Sequence, residues 1–114
     1  MAKINKAKLL FASTSEIYGD PEIHPQNESY NGSVNTTGQR SCYVEGKRIA
    51  ETLCHSYARK YSLDVKIARI FNSYGPNMLQ NDGRVISNFI CSGIKDKKIS
   101  VNGNGQQTRS FCFI

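Results

Sequence analysis

The sequence predicts an α/β fold in which parallel strands alternate with helices. Two short apolar runs, residues 8–13 and 64–70, have the length and composition of buried strands, and residues 43–61 between them show helical periodicity. Strand, helix and strand in this order form a βαβ unit, whose two strands run parallel with a right-handed crossover. A glycine-rich turn of the G-x-G-x-x-G kind and several further strands of a doubly wound sheet are missing. We therefore expect residues 1–114 to be a single partial domain, the central part of a doubly wound parallel sheet without its N-terminal half.

The elements of the βαβ unit follow from local patterns. The run 8–13 ends in small polar residues, so we expect a buried strand that opens into a functional loop. Residues 16–39 are rich in Pro, Asn, Gly and Ser and lack periodicity, which predicts a long loop, and such loops usually carry function. In the predicted helix, one set of residues recurs at nearly 3.6-residue spacing. This set comprises Val44, Lys47, Ile49, Ala50, Leu53, Cys54, Tyr57 and Ala58.

The remainder of the chain repeats the alternation with shorter elements. Residues 72–82 are expected to form a loop, and residues 85–94 an amphipathic helix. A short strand is expected over residues 99–101, and a turn over residues 102–107. Residues 111–114 are expected to begin another strand.

Composition and charge exclude several classes of function. The net charge of +6 is spread over separate lysine clusters without an aromatic-interleaved basic stripe, so we expect no nucleic-acid partner. Four cysteines without a CxxC pair favour a reducing compartment and predict no metal site. No run approaches the roughly 18 apolar residues of a membrane span, and the first residues lack the apolar core of a signal peptide. We therefore expect no membrane segment in this chain.

Tyr43 and Lys47 are the most informative pair in the chain. Their four-residue spacing places both side chains on one face of the predicted helix, one turn apart. A free tyrosine has a pKa of about 10 and is a poor base at neutral pH, but a neighbouring ammonium stabilises its phenolate form. Such a pair can take a proton from an alcohol while a cofactor removes the hydride. An ordinary surface pair is the more frequent explanation of this spacing, so the neighbouring residues decide between the two.

Polar residues follow the first predicted strand, at the edge where ligands bind in open α/β sheets. Thr14, Ser15 and Glu16 occupy these positions, and we expect them beside the tyrosine and the lysine. A hydroxyl there can hydrogen-bond a substrate alcohol, and a carboxylate can position or move a proton. Loop capping by the two hydroxyls is the alternative explanation.

Further polar residues are expected to bind an anionic ligand. Asn72 follows the second strand, where its amide could donate to a phosphate or accept from a sugar hydroxyl. Arg84 opens the next helix, whose backbone amides suit an anion, and Arg109 supplies a further cation. Surface arginines are common, so each residue alone is ambiguous, and the order of all of them together is the more specific signal.

The order of these motifs is similar to that of one enzyme family. The densest matches are residues 12–26, 42–51, 68–72 and 81–90. They resemble the nucleotide-sugar branch of the extended short-chain dehydrogenases/reductases, the NAD-dependent epimerase/dehydratase family. Within that branch the chain resembles the UDP-glucuronate decarboxylases, or UDP-xylose synthases. Thr14-Ser15-Glu16 and Arg109 carry this choice, since 4,6-dehydratases usually have Thr-Asp-Glu and 4-epimerases a Ser-Ser-Ser type run. Asn102 departs from the family pattern, which usually has a tyrosine near the uridine.

The resemblance implies a partial Rossmann-like domain with tightly bound NAD. It also implies decarboxylation of UDP-glucuronate to UDP-xylose through a 4-keto intermediate. By analogy, Tyr43 deprotonates the C4 hydroxyl and Lys47 holds the nicotinamide ribose. The implied cofactor contacts are Ala12, Ser13, Tyr43, Lys47, Ser73 and Arg84.

The resemblance assigns the remaining roles around the sugar. Thr14 or Ser15 shares the hydrogen bond at O4, while Glu16 and Arg109 are the candidates for placing the carboxylate and delivering a proton to C5. The implied substrate contacts are Tyr57, Asn72, Ser87, Asn88 and Arg109.

The resemblance also bears on partners and location. The expected partner is a UDP-sugar, and a complete parent is expected to be a homodimer paired through helices of this region. A cytoplasmic location is expected, or the Golgi lumen if a longer parent carries an N-terminal anchor. Two alternatives stay open, namely a non-catalytic fragment or dimerisation partner, and a related nucleotide-sugar 4,6-dehydratase or epimerase. Because half of the cofactor site is absent, we expect no turnover from the 114 residues alone.

Overall fold

The computed structural model describes all 114 residues and divides into two compact units, Met1–Ile70 and Phe71–Ile114. Each unit contains two parallel strands and one α-helix. The elements of the first unit are β1 (Leu9–Thr14), a 3-10 turn (Ser15–Tyr18), α1 (Ser41–Tyr61) and β2 (Val65–Ile70). Those of the second unit are β3 (Asn72–Tyr74), α2 (Val85–Ile94) and β4 (Phe111–Phe113).

The first unit is the predicted βαβ motif. β1 and β2 pair in parallel, from Leu9 opposite Val65 to Thr14 opposite Ile70. Side chains alternate between the two faces of this sheet, and the half-buried ones on β2 lie on the face that α1 covers. On the opposite face, Leu10 and Ile70 are exposed. The predicted parallel pairing is therefore confirmed.

Helix α1 presents two different faces. Val44 and Glu51 are buried on the side that faces the sheet, and the helix ends at Ser62, whose left-handed backbone lets its N–H bond the Ala58 carbonyl. Ile49, Leu53 and Tyr57 recur every four residues and are exposed, although the sequence pattern grouped them with Val44. A two-stranded sheet is narrow and covers only one side of the helix, so the second apolar stripe stays exposed.

The connection between the 3-10 turn and α1 folds back on the unit. Gly19 and Ser33 form an isolated parallel bridge, and Gly19 has a φ of +64°. A Cβ at Gly19 would lie 1.9 Å from the Ser33 carbonyl oxygen, so only glycine fits there. Arg48 Nη1 donates to the carbonyls of Ile17 (3.0 Å) and Asn31 (2.9 Å), which ties the 3-10 turn and the middle of this loop to α1. The predicted loop is present, apart from the 3-10 turn at its start.

A buried ion pair joins α1 to β2. Arg69 Nη2 lies 2.8 Å from Glu51 Oε2, and Arg69 Nη1 donates to the Tyr18 hydroxyl and to the Glu28 carbonyl, each at 2.9 Å. Burial opposes ionisation of Glu51, but the hydrogen bonds from Arg69 and Ser13 and the positive charge of Arg69 outweigh it, so the pKa of Glu51 lies below its ordinary value. The same contacts raise the pKa of Arg69. This network connects the sheet, the helix and the loop at one point.

The second unit differs from the sequence prediction at two places. Residues 72–82 were expected to be a loop, but Asn72–Tyr74 forms β3, which pairs in parallel with β4. Asn72 Nδ2 donates to the Ser110 carbonyl (3.0 Å), and the Tyr74 ring packs edge-on against Phe111 and Phe113. The strand expected over residues 99–101 is wrong, because no neighbouring strand pairs with this segment and Ile99 and Val101 are exposed. Helix α2 lies where it was predicted.

Two properties of the whole chain complete the description. All four cysteines are free thiols. Neither helix combines the length and the hydropathy that crossing a lipid bilayer requires.

Candidate active site

The predicted pair lies at the start of α1, against the carboxyl end of β1. Lys47 Nζ donates to the Ala12 carbonyl at 2.8 Å and lies 5.1 Å from the centre of the Phe11 ring. The same ammonium is 5.8 Å from the centre of the Tyr43 ring, one helical turn earlier. The two side chains therefore share one face of the helix, as the spacing predicts, and the lysine fixes that face to β1.

The Tyr43 side chain is oriented for contact with a ligand. The residue is 42% exposed, and its hydroxyl makes no hydrogen bond within the chain. Its ring is contacted by the Arg40 and Lys47 cations, while its hydroxyl stays available. A phenolic hydroxyl can both donate and accept a hydrogen bond, so it suits proton exchange with a bound alcohol.

Arg40 is a site residue that the sequence analysis missed. Its Nε and Nη2 donate to the two carboxylate oxygens of Glu16 at 2.7 and 2.8 Å, and its Cζ lies 4.9 Å from the centre of the Tyr43 ring. The hydrogen bonds and the negative charge of Glu16 raise the pKa of Arg40. Its position three residues before the tyrosine was an available signal, because residues three apart on a helix are neighbours.

The residues after β1 have distinct roles in the structure. Thr14 caps the 3-10 turn, since its Oγ1 accepts from the Glu16 N–H at 3.2 Å. Loop capping, the alternative explanation for this hydroxyl, is therefore present. The cap uses only a lone pair of the Thr14 oxygen, so the hydroxyl proton can still be donated to another partner. Ser15 is half-buried, and Ser13 is buried close enough to Glu51 for its hydroxyl to help lower the pKa of that carboxylate. On β1, Ser13 directly follows Ala12, whose carbonyl accepts from Lys47.

In the second unit, three predicted residues line one shallow cavity of about 100 Å³. Asn72, Ser73 and Arg84 supply its polar groups, and apolar side chains such as Phe111 supply most of the rest. Arg84 Nε lies 2.6 Å from Asp82 Oδ2, so this arginine is already paired with a carboxylate. A cavity of this kind can hold a flat or apolar group with polar contacts at one end.

For four other predicted residues, the structure shows local contacts or exposure and no shared site. Ser87 and Asn88 donate to the carbonyls of Arg84 and Gly83, each at 3.1 Å, and so serve the start of α2. Arg109 is exposed, and its Nη1 donates to the Thr108 carbonyl. Tyr57 lies on the exposed stripe of α1, about 21 Å along the axis from Tyr43 at 1.5 Å per residue. Their assignments as substrate contacts stay predictions.

Comparison with known proteins identifies the relatives of this arrangement. A profile of the NAD dependent epimerase/dehydratase family matches residues 1–114. The UDP-glucuronic acid decarboxylase 1 of Xenopus tropicalis is 54% identical over 114 residues, and the UDP-glucuronic acid decarboxylase 5 of Arabidopsis thaliana is 55% identical. The chain is covered completely in both cases and spans 27% and 33% of the lengths of these two relatives.

Solved structures agree with the sequence relatives. The UDP-N-acetylglucosamine 4-epimerase from Methanobrevibacter ruminantium M1 aligns with a TM-score of 0.87 at 30% identity, covering 98% of this chain and 36% of that one. The UDP-glucuronic acid 4-epimerase from Bacillus cereus, in complex with UDP-glucuronic acid and NAD, aligns at 0.78 and 28% identity, covering 93% and 31%. The predicted partial Rossmann-like α/β fold is confirmed by these alignments and by the parallel strand pairs. The chain belongs to the NAD-dependent epimerase/dehydratase family.

Proposed function

We propose that the protein that carries this chain converts UDP-glucuronate to UDP-xylose, in an NAD-dependent decarboxylation through a 4-keto intermediate. The observation that carries the proposal is Tyr43, whose hydroxyl makes no hydrogen bond within the chain and whose ring centre lies 4.9 Å from Arg40 Cζ and 5.8 Å from Lys47 Nζ. Arg40 also binds the Glu16 carboxylate. The names of the relatives support the substrate, since the curated ones are UDP-glucuronic acid decarboxylases and one solved neighbour holds UDP-glucuronic acid with NAD.

The residues at the carboxyl end of β1 fit the nicotinamide end of NAD. Lys47 uses one of its three ammonium donors on the Ala12 carbonyl and has two left for ribose hydroxyls. Ala12 and Ser13, which lie at this end of β1, stay proposed cofactor contacts. Ser73 and Arg84 stay proposed cofactor contacts as well. When bound, NAD accepts a hydride from C4 of the sugar and later returns it.

Tyr43 performs the proton transfer in this proposal. It takes the proton of the C4 hydroxyl as the carbon is oxidised, and it returns that proton when the ketone is reduced. The two flanking cations stabilise the negative charge that the tyrosine oxygen carries in between. Thr14, whose hydroxyl proton is available, or Ser15 donates to O4 and orients the alcohol.

Decarboxylation follows from the chemistry of the intermediate. The 4-ketone is β to the C6 carboxylate, so the C5–C6 bond can break with its electron pair delocalised into an enolate as carbon dioxide leaves. This step needs orientation and charge stabilisation more than covalent help. Glu16 and Arg109 are proposed to place the carboxylate and to return a proton to C5. The proposed substrate contacts are Tyr57, Asn72, Ser87, Asn88 and Arg109.

A segment exchange tests this proposal with the residues of this chain in a complete enzyme. In the hybrid protein, residues 1–114 replace the aligned segment of the Arabidopsis thaliana UDP-glucuronic acid decarboxylase 5, which is 55% identical there. With NAD and UDP-glucuronate, we expect the hybrid protein to form UDP-xylose, detected by mass spectrometry, with the unmodified enzyme as the positive control. A folded hybrid protein that binds NAD but only epimerises or dehydrates nucleotide sugars would contradict the proposal.

We also propose that the complete protein is a homodimer that buries the exposed stripe of α1. Ile49, Leu53 and Tyr57 form a continuous apolar strip on one side of the helix, and such strips mark contact surfaces when they are extended. Leu53→Glu should shift the hybrid protein from dimer to monomer in sedimentation velocity, because a charge would enter the interface. Thr52→Glu adds the same charge at an exposed neighbouring position and should leave the dimer intact. If the Leu53→Glu variant remains dimeric, the exposed stripe of α1 is not the dimer interface.

A further inference from the structure

We propose that Arg40 is a positioning residue. Its guanidinium binds both oxygens of the Glu16 carboxylate and stacks on the Tyr43 ring, and it thereby holds the carboxylate at a fixed place beside the tyrosine. The inference rests on the proposed function, because it assigns Arg40 a task in the same reaction. It adds to the site a residue whose side chain contacts neither the sugar nor the cofactor in this role.

The contact with Glu16 has the geometry of a clamp. Both carboxylate oxygens accept from one guanidinium, at 2.7 and 2.8 Å, and this bidentate arrangement fixes the plane of the carboxylate as well as its position. Glu16 lies in the 3-10 turn directly after β1, at the edge where ligands bind in this class of fold. Without Arg40, its side chain would be free to take several rotamers at that edge.

The contact with Tyr43 places the same guanidinium on the proposed base. The Arg40 Cζ is 4.9 Å from the ring centre, closer than the Lys47 Nζ at 5.8 Å, so two cations contact the ring. One side chain therefore sets both the carboxylate and the aromatic ring. A change in Arg40 should affect the relative placement of the two groups and leave the sheet and the helix unchanged.

Stability does not account for this arrangement. The Arg40 and Glu16 side chains are 66% and 40% exposed, and ion pairs at such exposure contribute little to folding. Arg40 is also the residue that precedes the first turn of α1, a position usually taken by a side chain that caps the helix. The Arg40 side chain makes no such cap, and its hydrogen bonds go to Glu16 instead.

Steady-state kinetics of the hybrid protein separate positioning from substrate binding. Arg40→Gln is expected to lower kcat for UDP-xylose about 10- to 100-fold, the effect of misplacing a catalytic group, with KM changed less than about twofold. Arg40→Lys keeps the positive charge but cannot bind both carboxylate oxygens in the bidentate manner of a guanidinium, so its kcat should lie between those of the parent and of Arg40→Gln. Arg59→Gln, an exposed arginine on the same helix, should leave kcat and the unfolding temperature unchanged.

A double-mutant cycle shows whether Arg40 acts through Glu16. The double variant Arg40→Gln/Glu16→Gln should be no slower than Glu16→Gln alone, because the clamp has no task once its carboxylate is gone. Additive losses, a wild-type kcat in Arg40→Gln, or a raised KM at unchanged kcat would each overturn the inference. The last result would make Arg40 a ligand of the substrate carboxylate.

A spectroscopic measurement on the 114-residue chain keeps the inference testable if the hybrid protein lacks turnover, which would count against the proposed function alone. The Arg40 Nε–H resonance, observed by arginine-selective nitrogen-15 labelling, should shift in Glu16→Gln and again in Tyr43→Leu, but little in Tyr43→Phe, which keeps the ring. The Arg109 resonance, from an arginine bonded only to a backbone carbonyl, is the internal control. An Arg40 resonance unaffected by both Glu16→Gln and Tyr43→Leu would remove the physical basis of the inference.

Discussion

Tyr43→Phe is expected to lower kcat of the hybrid protein for UDP-xylose by about 10³-fold, within the range that general acid–base catalysis contributes. The substitution removes one oxygen atom and keeps the ring that Arg40 and Lys47 contact at 4.9 and 5.8 Å. Since the Tyr43 hydroxyl makes no hydrogen bond within the chain, its loss leaves no group without a partner and should not change stability.

Two measurements make this expectation specific to proton transfer. The affinity for UDP-glucuronate, measured by calorimetry on the NAD-loaded variant, should stay within about threefold of the parent, because the missing group acts on the transition state. Tyr61→Phe, at the other end of α1, is the matched control and should retain full activity. If the kcat of Tyr43→Phe lies within tenfold of the parent value, Tyr43 is not the catalytic base.

Arg69→Met is expected to destabilise the 114-residue chain by about 2 to 3 kcal/mol in urea unfolding. Removing one partner of a buried pair leaves the other charge buried and uncompensated, and Glu51 is only 6% exposed. The figure lies at the low end for such pairs because 23% of the Arg69 side chain is exposed to water. The variant also loses the hydrogen bonds from Arg69 to the Tyr18 hydroxyl and to the Glu28 carbonyl.

The pH dependence of this effect follows from the direction of the Glu51 pKa. Burial raises that pKa, but the contacts with Arg69 lower it by more, so the folded chain holds the carboxylate ionised to a lower pH than the unfolded chain does. The stabilisation is therefore present above about pH 4.3, the value for a free glutamate, and is lost as the pH falls through the folded pKa. In Arg69→Met the largest opposition to the effect of burial on the Glu51 pKa is lost, so the difference in unfolding free energy between the variant and the parent should shrink on acidification.

A control on the same strand isolates the buried pair. Lys66 is exposed, and its ammonium lies 3.7 Å from Asp64, so Lys66→Met should change the free energy of unfolding by less than about 0.5 kcal/mol. An Arg69→Met variant that loses less than 1 kcal/mol, or whose loss is the same at pH 7 and pH 3.5, would show that the pair does not connect the sheet and the helix as described.

The βαβ unit was predictable because its signals are local. The apolar runs and the helical period are each visible within one segment, and the crossover rule then makes β1 and β2 parallel. β3 could not be predicted, since Asn72–Tyr74 is a strand only through pairing with Phe111–Phe113, far along the chain. The opposite error at residues 99–101 has the same origin, because local strand propensity does not supply a neighbouring strand.

Some residues of the candidate site could likewise be predicted from local sequence patterns, and others could not. Tyr43 and Lys47 could be found from their spacing on one helix, and the structure keeps them on one face. The Arg40–Glu16 clamp joins a loop to a helix start across 24 residues of sequence, and no periodic pattern marks such a contact. The exposed stripe of α1 was hidden for a different reason, since a period near 3.6 does not indicate which of two apolar faces meets the sheet.

Release of the carboxyl carbon from UDP-glucuronate tests the proposed activity most directly. The hybrid protein, loaded with NAD, is given UDP-glucuronate labelled with carbon-13 at C6, and gas and nucleotide sugar are both followed by mass spectrometry. We expect one labelled carbon dioxide for each UDP-xylose formed, and no release by the Tyr43→Phe hybrid protein. Label that stays in the nucleotide sugar while the substrate is converted to its 4-epimer would contradict the proposed activity.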